Sequence, residues 1–103
     1  MSNLYMVYRT DRSDGKAAGI RAATRPLHQA YMKQFAARAR LGGPVLGPDG
    51  APCGGLMLIE ADSEEEVRAI LRDDPFEKAG LSERIDVHPF RWQTNRPADL
   101  PPL

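Results

Sequence analysis

The sequence has few of the features that point to a disulfide-stabilised, membrane-bound or nucleic-acid-binding protein. Its 103 residues include a single cysteine, Cys53, so no disulfide can form within the chain. No long apolar run predicts a signal peptide or a membrane span. Acidic and basic residues balance at 14 each, which leaves no bulk positive charge to attract nucleic acid. We therefore expect a cytoplasmic protein with one modest core and neither nucleic acid nor membrane as a partner.

Histidine is also scarce, and of the two present His28 has the more informative setting. On an α-helix, the upstream residues Arg21 and Arg25 would lie on the same face as His28 if the helix extends that far. An imidazole in a positive field suits an anionic ligand, whereas a histidine packed at the edge of a core would give the same pattern. The apolar residues that would continue this face are Tyr31, Met32, Phe35 and Ala39.

Short runs rich in β-branched and aromatic residues predict four strands, at residues 4–9, 44–46, 55–60 and 85–92. Residues 47–50, GPDG, predict a hairpin turn between the second and third strands, because proline suits the second turn position and glycine the fourth. Pro89 favours an edge position, a bulge or a break in the last strand. Residues 1–92 are expected to form the domain, and residues 93–103 a proline-rich tail that is extended or mobile.

The first helix has two predicted starting points. It begins near Ala17 and is kinked by Pro26, or Thr24 caps it with Pro26 in the first turn. In either case we expect it to end at Gly42-Gly43. The second helix has a clear start, since residues 63–66, SEEE, form a capping box, and it should end at or just before residue 74 because proline follows.

The order strand, helix, strand, strand, helix, strand is typical of the ferredoxin-like α+β fold. That fold has a four-stranded antiparallel sheet with two helices on one face. The first and third strands are apolar on both faces, so something should cover the other face. We expect a second copy of the chain to do so, which gives a homodimer with sheets packed face to face.

Asp73 and Asp74 come at the carboxyl end of the second helix, where the helix dipole disfavours anions. In one interpretation Asp74 caps a short helix over residues 75–79, with Pro75 at its first position. In the other, Asp74 reaches His28 across the fold and holds the imidazole in one tautomer, as carboxylates do for catalytic bases. The two interpretations are compatible because a carboxylate has two oxygens.

The chain resembles the YciI-like family, also described as the YCII-related domain, within the dimeric α+β barrel superfamily. The similarity extends over nearly all of residues 4–92, and the spaced combination of motifs is more specific than any one of them. The most distinctive motif is DDPFEKAGL at residues 73–81. The others are RPLH at residues 25–28, GP at 43–44, GPDG at 47–50, IEADS at 59–63 and VHPFR at 87–91.

The resemblance implies that His28 and Asp74 correspond to a histidine–aspartate pair proposed in the family as an active site. It also implies that Arg21 and Arg25 match arginines common before that histidine. The family commonly has Gly-Ser where this chain has Gly54-Gly55, so a serine contact with ligand would be missing here. Relatives include a dehydrochlorinase, and neighbouring families include isomerases and small monooxygenases.

The leading hypothesis is a lyase- or isomerase-like enzyme, without cofactor or metal, that acts on a small anionic or phenolic molecule. His28 would be the general base or acid, Asp74 its orienting partner, and Arg25 with Arg21 the anion-binding groups. The alternative is a dimeric module that binds a small molecule, or assists a larger enzyme, without catalysis. A metal site formed by His28, Asp74 and His88 is disfavoured because no ligand-spacing motif is present.

Overall fold

A computed structural model describes residues 3–100 as one antiparallel sheet with helices on one of its faces. The strand order is β2-β3-β1-β4, and every neighbouring pair is antiparallel. This confirms the predicted ferredoxin-like α+β fold. The elements are β1 (Asn3–Asp11), α1 (Ala17–Met32), a 3₁₀ turn (Lys33–Phe35), β2 (Ala39–Leu46), β3 (Pro52–Ala61), α2 (Glu64–Arg72), α3 (Pro75–Lys78) and β4 (Ser82–Pro89).

The first helix starts at the earlier of its two predicted positions and ends sooner than predicted. α1 begins at Ala17 and runs through Pro26 to Met32, so Thr24 is not its cap. The prediction that it ends at Gly42-Gly43 is wrong, because both glycines lie within β2. Residues 36–41, AARARL, favour helix by local propensity, but residues from Ala39 onward pair with β3 instead. Tertiary pairing overrides the local preference here.

The other helix starts and the hairpin are as predicted. The Ser63 hydroxyl accepts a hydrogen bond from the Glu66 backbone N–H at 3.1 Å, which caps α2. Asp74 caps α3 in the same way, with Pro75 at the first helical position. At the hairpin, the Gly50 backbone N–H donates to the Gly47 carbonyl at 2.9 Å. These local signals could be predicted because each depends on residues only a few positions apart.

The last strand is shifted from its predicted position. β4 is Ser82–Pro89 and lies at an edge of the sheet, where a proline removes no shared hydrogen bond. The tail after it returns to the sheet over its described part: Asp99 accepts a hydrogen bond from Arg40 on β2 at 2.6 Å, and Leu100 is buried. Residues 101–103 of the predicted tail lie outside the described residues.

The hydrophobic core lies between one face of the sheet and α2. Cross-strand pairs place Tyr5 beside Ile59 and Val7 beside Met57 on this face, and all four side chains are buried. Val67, Ile70 and Leu71 pack on them from α2. The opposite face carries Met6, Tyr8, Leu56 and Leu58 in the alternate positions.

Part of that opposite face is apolar and exposed. Tyr8 and Leu56 are each 37% exposed, and Leu41 on β2 is 43% exposed. Exposed apolar side chains on one sheet face are what a covering partner would bury. That the partner is a second copy of the chain stays a prediction.

Candidate active site

A cavity of about 400 Å³ lies between α1 and the sheet, at the end of the sheet away from α2. α1 packs mainly on α3, which leaves a gap over the sheet beneath its polar face. The predicted residues Arg21, Arg25 and His28 all line this cavity from α1. The sheet side is contributed by Arg9 on β1, by Gly42 and Pro44 on β2, and by Gly54, Gly55 and Met57 on β3.

His28 and Asp74 are in direct contact, although 46 residues separate them in the sequence. His28 Nδ1 lies 2.8 Å from Asp74 Oδ1. The Asp74 side chain is fully buried, whereas the His28 side chain is 22% exposed and faces the cavity. An ionised carboxylate can only accept hydrogen bonds, so Nδ1 carries the hydrogen. In the neutral ring this leaves Nε2 as the nitrogen with a free lone pair.

Asp74 makes the contacts of both interpretations at once: it caps α3 and it contacts His28. Its Oδ1 accepts both the His28 contact and the backbone N–H of Phe76, the latter at 2.9 Å. Its Oδ2 accepts a hydrogen bond from Arg9 Nη1 at 2.8 Å. Burial alone would raise the pKa of this carboxyl, but the hydrogen bond from His28 and the charge of Arg9 outweigh burial and hold the pKa below 3.8. Asp74 is therefore a buried carboxylate that stays ionised.

Arg9 is a cavity residue that the sequence patterns did not single out. Its Nη1 bridges Asp74 and Glu77, at 2.8 Å and 2.9 Å, and Ser82 donates to the same Glu77 oxygen at 2.7 Å. Desolvation would lower the pKa of Arg9, but the two carboxylates more than offset it and the pKa is raised. The alternation of β1 carried a signal for this position, because Arg9 follows Tyr5 and Val7 on the face that points toward the helices.

The two predicted anion-binding arginines differ in their partners. Arg21 is bound by Asp11 through two hydrogen bonds of 2.7 Å and 2.8 Å, and it also donates to the Gly54 carbonyl at 3.0 Å. Arg25 is exposed at the cavity and has no hydrogen bond or ion pair with another residue in the range 3–100. Asp11 already neutralises Arg21, so of these two arginines Arg25 is the one open to an anion.

Phe76 fixes the orientation of the imidazole. Its ring stacks on His28 with ring centroids 4.1 Å apart and an angle of 21° between the planes. The guanidinium of Arg21 lies over the same ring, 5.6 Å from its centroid. The Asp74 contact and this stacking together restrict how the imidazole can turn, which is a requirement for a group that transfers a proton to one atom of a ligand.

No group of three metal-ligating side chains lies close together within the part of the chain that the structure describes. His88, considered in the sequence as a third ligand, pairs with Met6 and lies on the opposite face of the sheet from the cavity.

The match that identifies the protein family extends over nearly the whole chain. A model of the YCII-related domain matches residues 3–91. The chain belongs to the YCII-related domain family. Protein YciI of Escherichia coli O6:H1 is 31% identical over 96 residues, which cover 85% of this chain and 96% of that protein.

Two further relatives of the YCII chain are informative. The derivative of benzaldehyde biosynthesis cluster protein C of Emericella nidulans is 42% identical over 77 residues, 65% of this chain and 79% of that protein. The solved structure of 5-chloro-2-hydroxyhydroquinone dehydrochlorinase from Burkholderia phenoliruptrix AC1100, in complex with 2,5-dihydroxybenzoquinone, has a TM-score of 0.76. It is 35% identical, and the match covers 87% of this chain and 93% of the dehydrochlorinase. Over residues 3–100, the YCII chain has no helix long and apolar enough to cross a membrane.

Proposed function

We propose that this protein is a proton-transferring enzyme of the lyase or isomerase type, acting on a small hydroxylated or anionic ring without a cofactor. The observation that carries the proposal is the 2.8 Å contact between His28 Nδ1 and a buried, ionised Asp74 at the wall of a cavity. This contact assigns the hydrogen to Nδ1 and leaves Nε2 as the base. His28 is then the catalytic residue, and Asp74 is a positioning residue that stabilises the imidazolium formed during the reaction.

In the proposed step, His28 Nε2 accepts the proton of a hydroxyl group on the ring of the ligand. The O–H electron pair becomes part of a C=O bond, and π electrons of the ring are displaced. They bind a proton at a ring carbon, which is isomerisation and makes that carbon saturated. Where that carbon carries chloride, loss of a second hydroxyl proton then expels the chloride, which is elimination. The imidazolium returns the first proton to the ring carbon and passes the second to water. Electrons and protons balance without an oxidant.

The charges around the cavity favour a ligand that is or becomes an anion. Asp74 and Glu77 neutralise Arg9, and Asp11 neutralises Arg21, whereas Arg25 has no carboxylate partner within residues 3–100. The positive charge of Arg25 would stabilise the oxyanion that forms as the hydroxyl loses its proton. We therefore assign the stabilisation of this oxyanion, at the rim of the cavity, to Arg25, with Arg21 holding the cavity wall.

The relatives support a ring substrate. The dehydrochlorinase that matches this chain at 35% identity acts on a chlorinated hydroxyhydroquinone and was solved with 2,5-dihydroxybenzoquinone. Both molecules are six-membered rings bearing hydroxyl groups, the kind of molecule whose proton His28 would take. That this protein also acts on a hydroxylated six-membered ring is part of the proposal.

The test is turnover of hydroxylated quinols, beginning with 5-chloro-2-hydroxyhydroquinone, measured by absorbance and by chloride release. We expect His28→Ala to lower kcat by about 100-fold or more, the contribution typical of a general base, with the melting temperature little changed. His88→Ala is the matched control, because that histidine lies on the opposite face of the sheet, and it should keep the wild-type rate. A His28→Ala variant that turns over at the wild-type rate would rule the proposal out.

One observation favours the alternative of a binding module without catalysis. The cap bond to Phe76 and the pair with Arg9 give Asp74 a structural role that needs no chemistry. In that case the wild-type protein would bind a hydroxyquinone and release it unchanged. His28→Ala would then change the affinity for the hydroxyquinone, and neither the variant nor the wild-type protein would show turnover.

A further inference from the structure

We infer that Arg9 is a ligand-binding residue, and that Arg9 and Gly55 together form a second anion-binding subsite on the floor of the cavity. The inference takes the cavity of the proposed function as the ligand site, but it does not depend on turnover. It implies a ligand with two acidic groups, one near Arg25 at the rim and one that reaches Arg9 at the sheet.

The first observation concerns the nitrogens of Arg9 that do not hold Asp74. Both carboxylate contacts of Arg9 use Nη1, and its Nε and Nη2 have no partner within the described residues. Among these residues, the only fully buried side-chain nitrogen or oxygen without a hydrogen-bond partner is Arg96 Nε. The Nε and Nη2 of Arg9 are therefore not sealed in the interior. Since Arg9 lines the cavity, open space is available to them there.

The second observation concerns the residue beside Arg9 on the next strand. Gly55 is the cross-strand partner of Arg9 and also lines the cavity. A Cβ built on Gly55 would meet nothing closer than the Gly43 carbonyl oxygen at 3.9 Å, which is ordinary contact. No positive φ requires glycine at this position, and the nearest irregular pairing of β3 with β2 lies beyond it, at residues 52–54. Strands disfavour glycine, and a strand glycine without a bulge often marks close approach of a ligand.

The two observations concern the same place. Directly opposite residues on antiparallel strands have Cβ positions about 5 Å apart, so a side chain at Gly55 would lie against Arg9. Its absence leaves the guanidinium uncovered from the cavity side. Pro44, the partner of Gly55 on β2, lies at the sheet edge and is exposed, so the floor is open to solvent on that side. An anionic group can then reach Arg9 across the bare strand.

Arg9 would have two roles with different atoms. Its Nη1 keeps Asp74 in place behind His28, and the remaining nitrogens bind the ligand. Arginine suits this because its donors form a fixed planar fork, so one part can hold a carboxylate while another faces a second anion. A lysine would offer a single charged nitrogen for both partners.

The test compares benzoate with the three benzenedicarboxylates, with affinity measured by calorimetry. These probes share the ring and differ in whether a second carboxylate is present and where. For the wild-type protein, we expect at least one dicarboxylate isomer to bind about ten-fold or more tightly than benzoate, the gain typical of one charged hydrogen bond. Gly55→Val should abolish this preference because its side chain covers Arg9, while Gly55→Ala should reduce it.

Two further variants test whether the preference for a dicarboxylate comes from the subsite or from another cause. Arg9→Lys keeps the charge but should lose most of the preference, since the ammonium group is taken by Asp74 and Glu77. Arg68→Met removes a positive charge from the exposed surface of α2 and should leave the preference unchanged, which excludes an effect of net charge. Both Gly55 variants should melt at or above the wild-type temperature, because they replace glycine in a strand.

Equal affinity for benzoate and all three dicarboxylates, including no binding of any, would overturn the subsite. So would a Gly55→Val variant that keeps the wild-type preference. These results are independent of the proposed chemistry. If the wild-type protein turns over, His28→Ala does not, and no dicarboxylate is preferred over benzoate, the subsite alone is rejected. If the wild-type protein prefers a dicarboxylate but turns over no substrate, the proposed enzyme activity alone is rejected.

Discussion

The two ends of the helix-facing side of β1 differ completely in what they bury. At one end Tyr5 and Val7 are buried among apolar side chains. At the other end, Arg9 and Asp11 occupy the next positions on the same face and bind charged partners from α1 and α3. We refer to these as the dry end and the charged end. The strand alternates regularly from Tyr5 to Arg9, and its pairing with β4 shifts register between Thr10 and Asp11.

The difference comes from the helix above each end. α2 presents Val67, Ile70 and Leu71 to the sheet, which close the dry end completely. α1 has no fully buried residue and carries Arg21 and His28 on its inward face, so it packs on α3 and leaves a cavity over the charged end. A helix that turns polar side chains toward a sheet cannot seal it, because unpaired buried charges are too costly. The cavity therefore follows from the amino acids of α1.

The largest effect should come from Asp74→Ala at the charged end. The substitution removes one of the two carboxylates that hold Arg9, the partner of His28 and the cap of α3, and breaking a buried ion pair typically costs about 3–5 kcal/mol. We expect the free energy of unfolding in urea to fall by an amount in this range. Asp73→Ala is the matched control, because Asp73 is exposed and its removal should change the free energy by no more than about 0.5 kcal/mol. Equal losses for both variants would show that the charged end is not held by Asp74.

The second prediction is a dependence of stability on acid to which Asp74, at the charged end, contributes. The folded protein holds the pKa of Asp74 below its ordinary value of 3.8, so the ionised form favours folding above that pH. This contribution is lost as the pH falls through the lower pKa of the folded state. We expect the free energy of unfolding to drop below about pH 4 more steeply in the wild-type protein than in Asp74→Asn.

The control for acid sensitivity is Asp14, whose pKa is lowered to about 2 by its hydrogen bonds from Arg12. That pair lies on the surface, so salt should screen it, whereas the buried Asp74 contact should respond little. Urea unfolding across this pH range, at low and high ionic strength, separates the two. If salt removed the whole acid dependence, Asp74 would not be its source.

The residues of the charged end could be predicted only in part. His28 and Asp74 were each singled out from local sequence, because a histidine on a helical face and an Asp-Pro cap are short-range patterns. Their contact joins residues 46 positions apart, which no periodicity reports, so it was expected only as one interpretation of Asp74 and through the family resemblance. Arg9 was missed for the same reason: its carboxylate partners are 65 and 68 residues away. The alternation of β1 places Arg9 on the helix-facing side of the sheet, but it does not show which residues Arg9 contacts.

The fold was predicted more fully than the site. Strand order and helix caps follow from patterns within a few residues and from the limited ways of packing βαββαβ elements. The end of α1 was predicted wrongly because residues 36–41 favour helix locally, and only their pairing with β3 makes them a strand. Arg21 was expected to meet an anion, and the anion it meets is Asp11 of its own chain. In both cases a distant partner decided the outcome.

The smallest effect should come from Ile59→Val at the dry end. Ile59 is fully buried beside Tyr5, and loss of one methyl group there typically costs about 0.5–1.5 kcal/mol. Because it does not line the cavity, we expect benzenedicarboxylate affinity to stay at the wild-type value while the melting temperature falls. Met57→Leu is the informative companion, since Met57 is both buried in the core and part of the cavity wall, and it should change stability and affinity together. A loss of affinity in Ile59→Val as large as that in Gly55→Val would mean that the sheet responds as one unit at the dry end and the charged end, and the separation of packing from chemistry across β1 and β3 would be wrong.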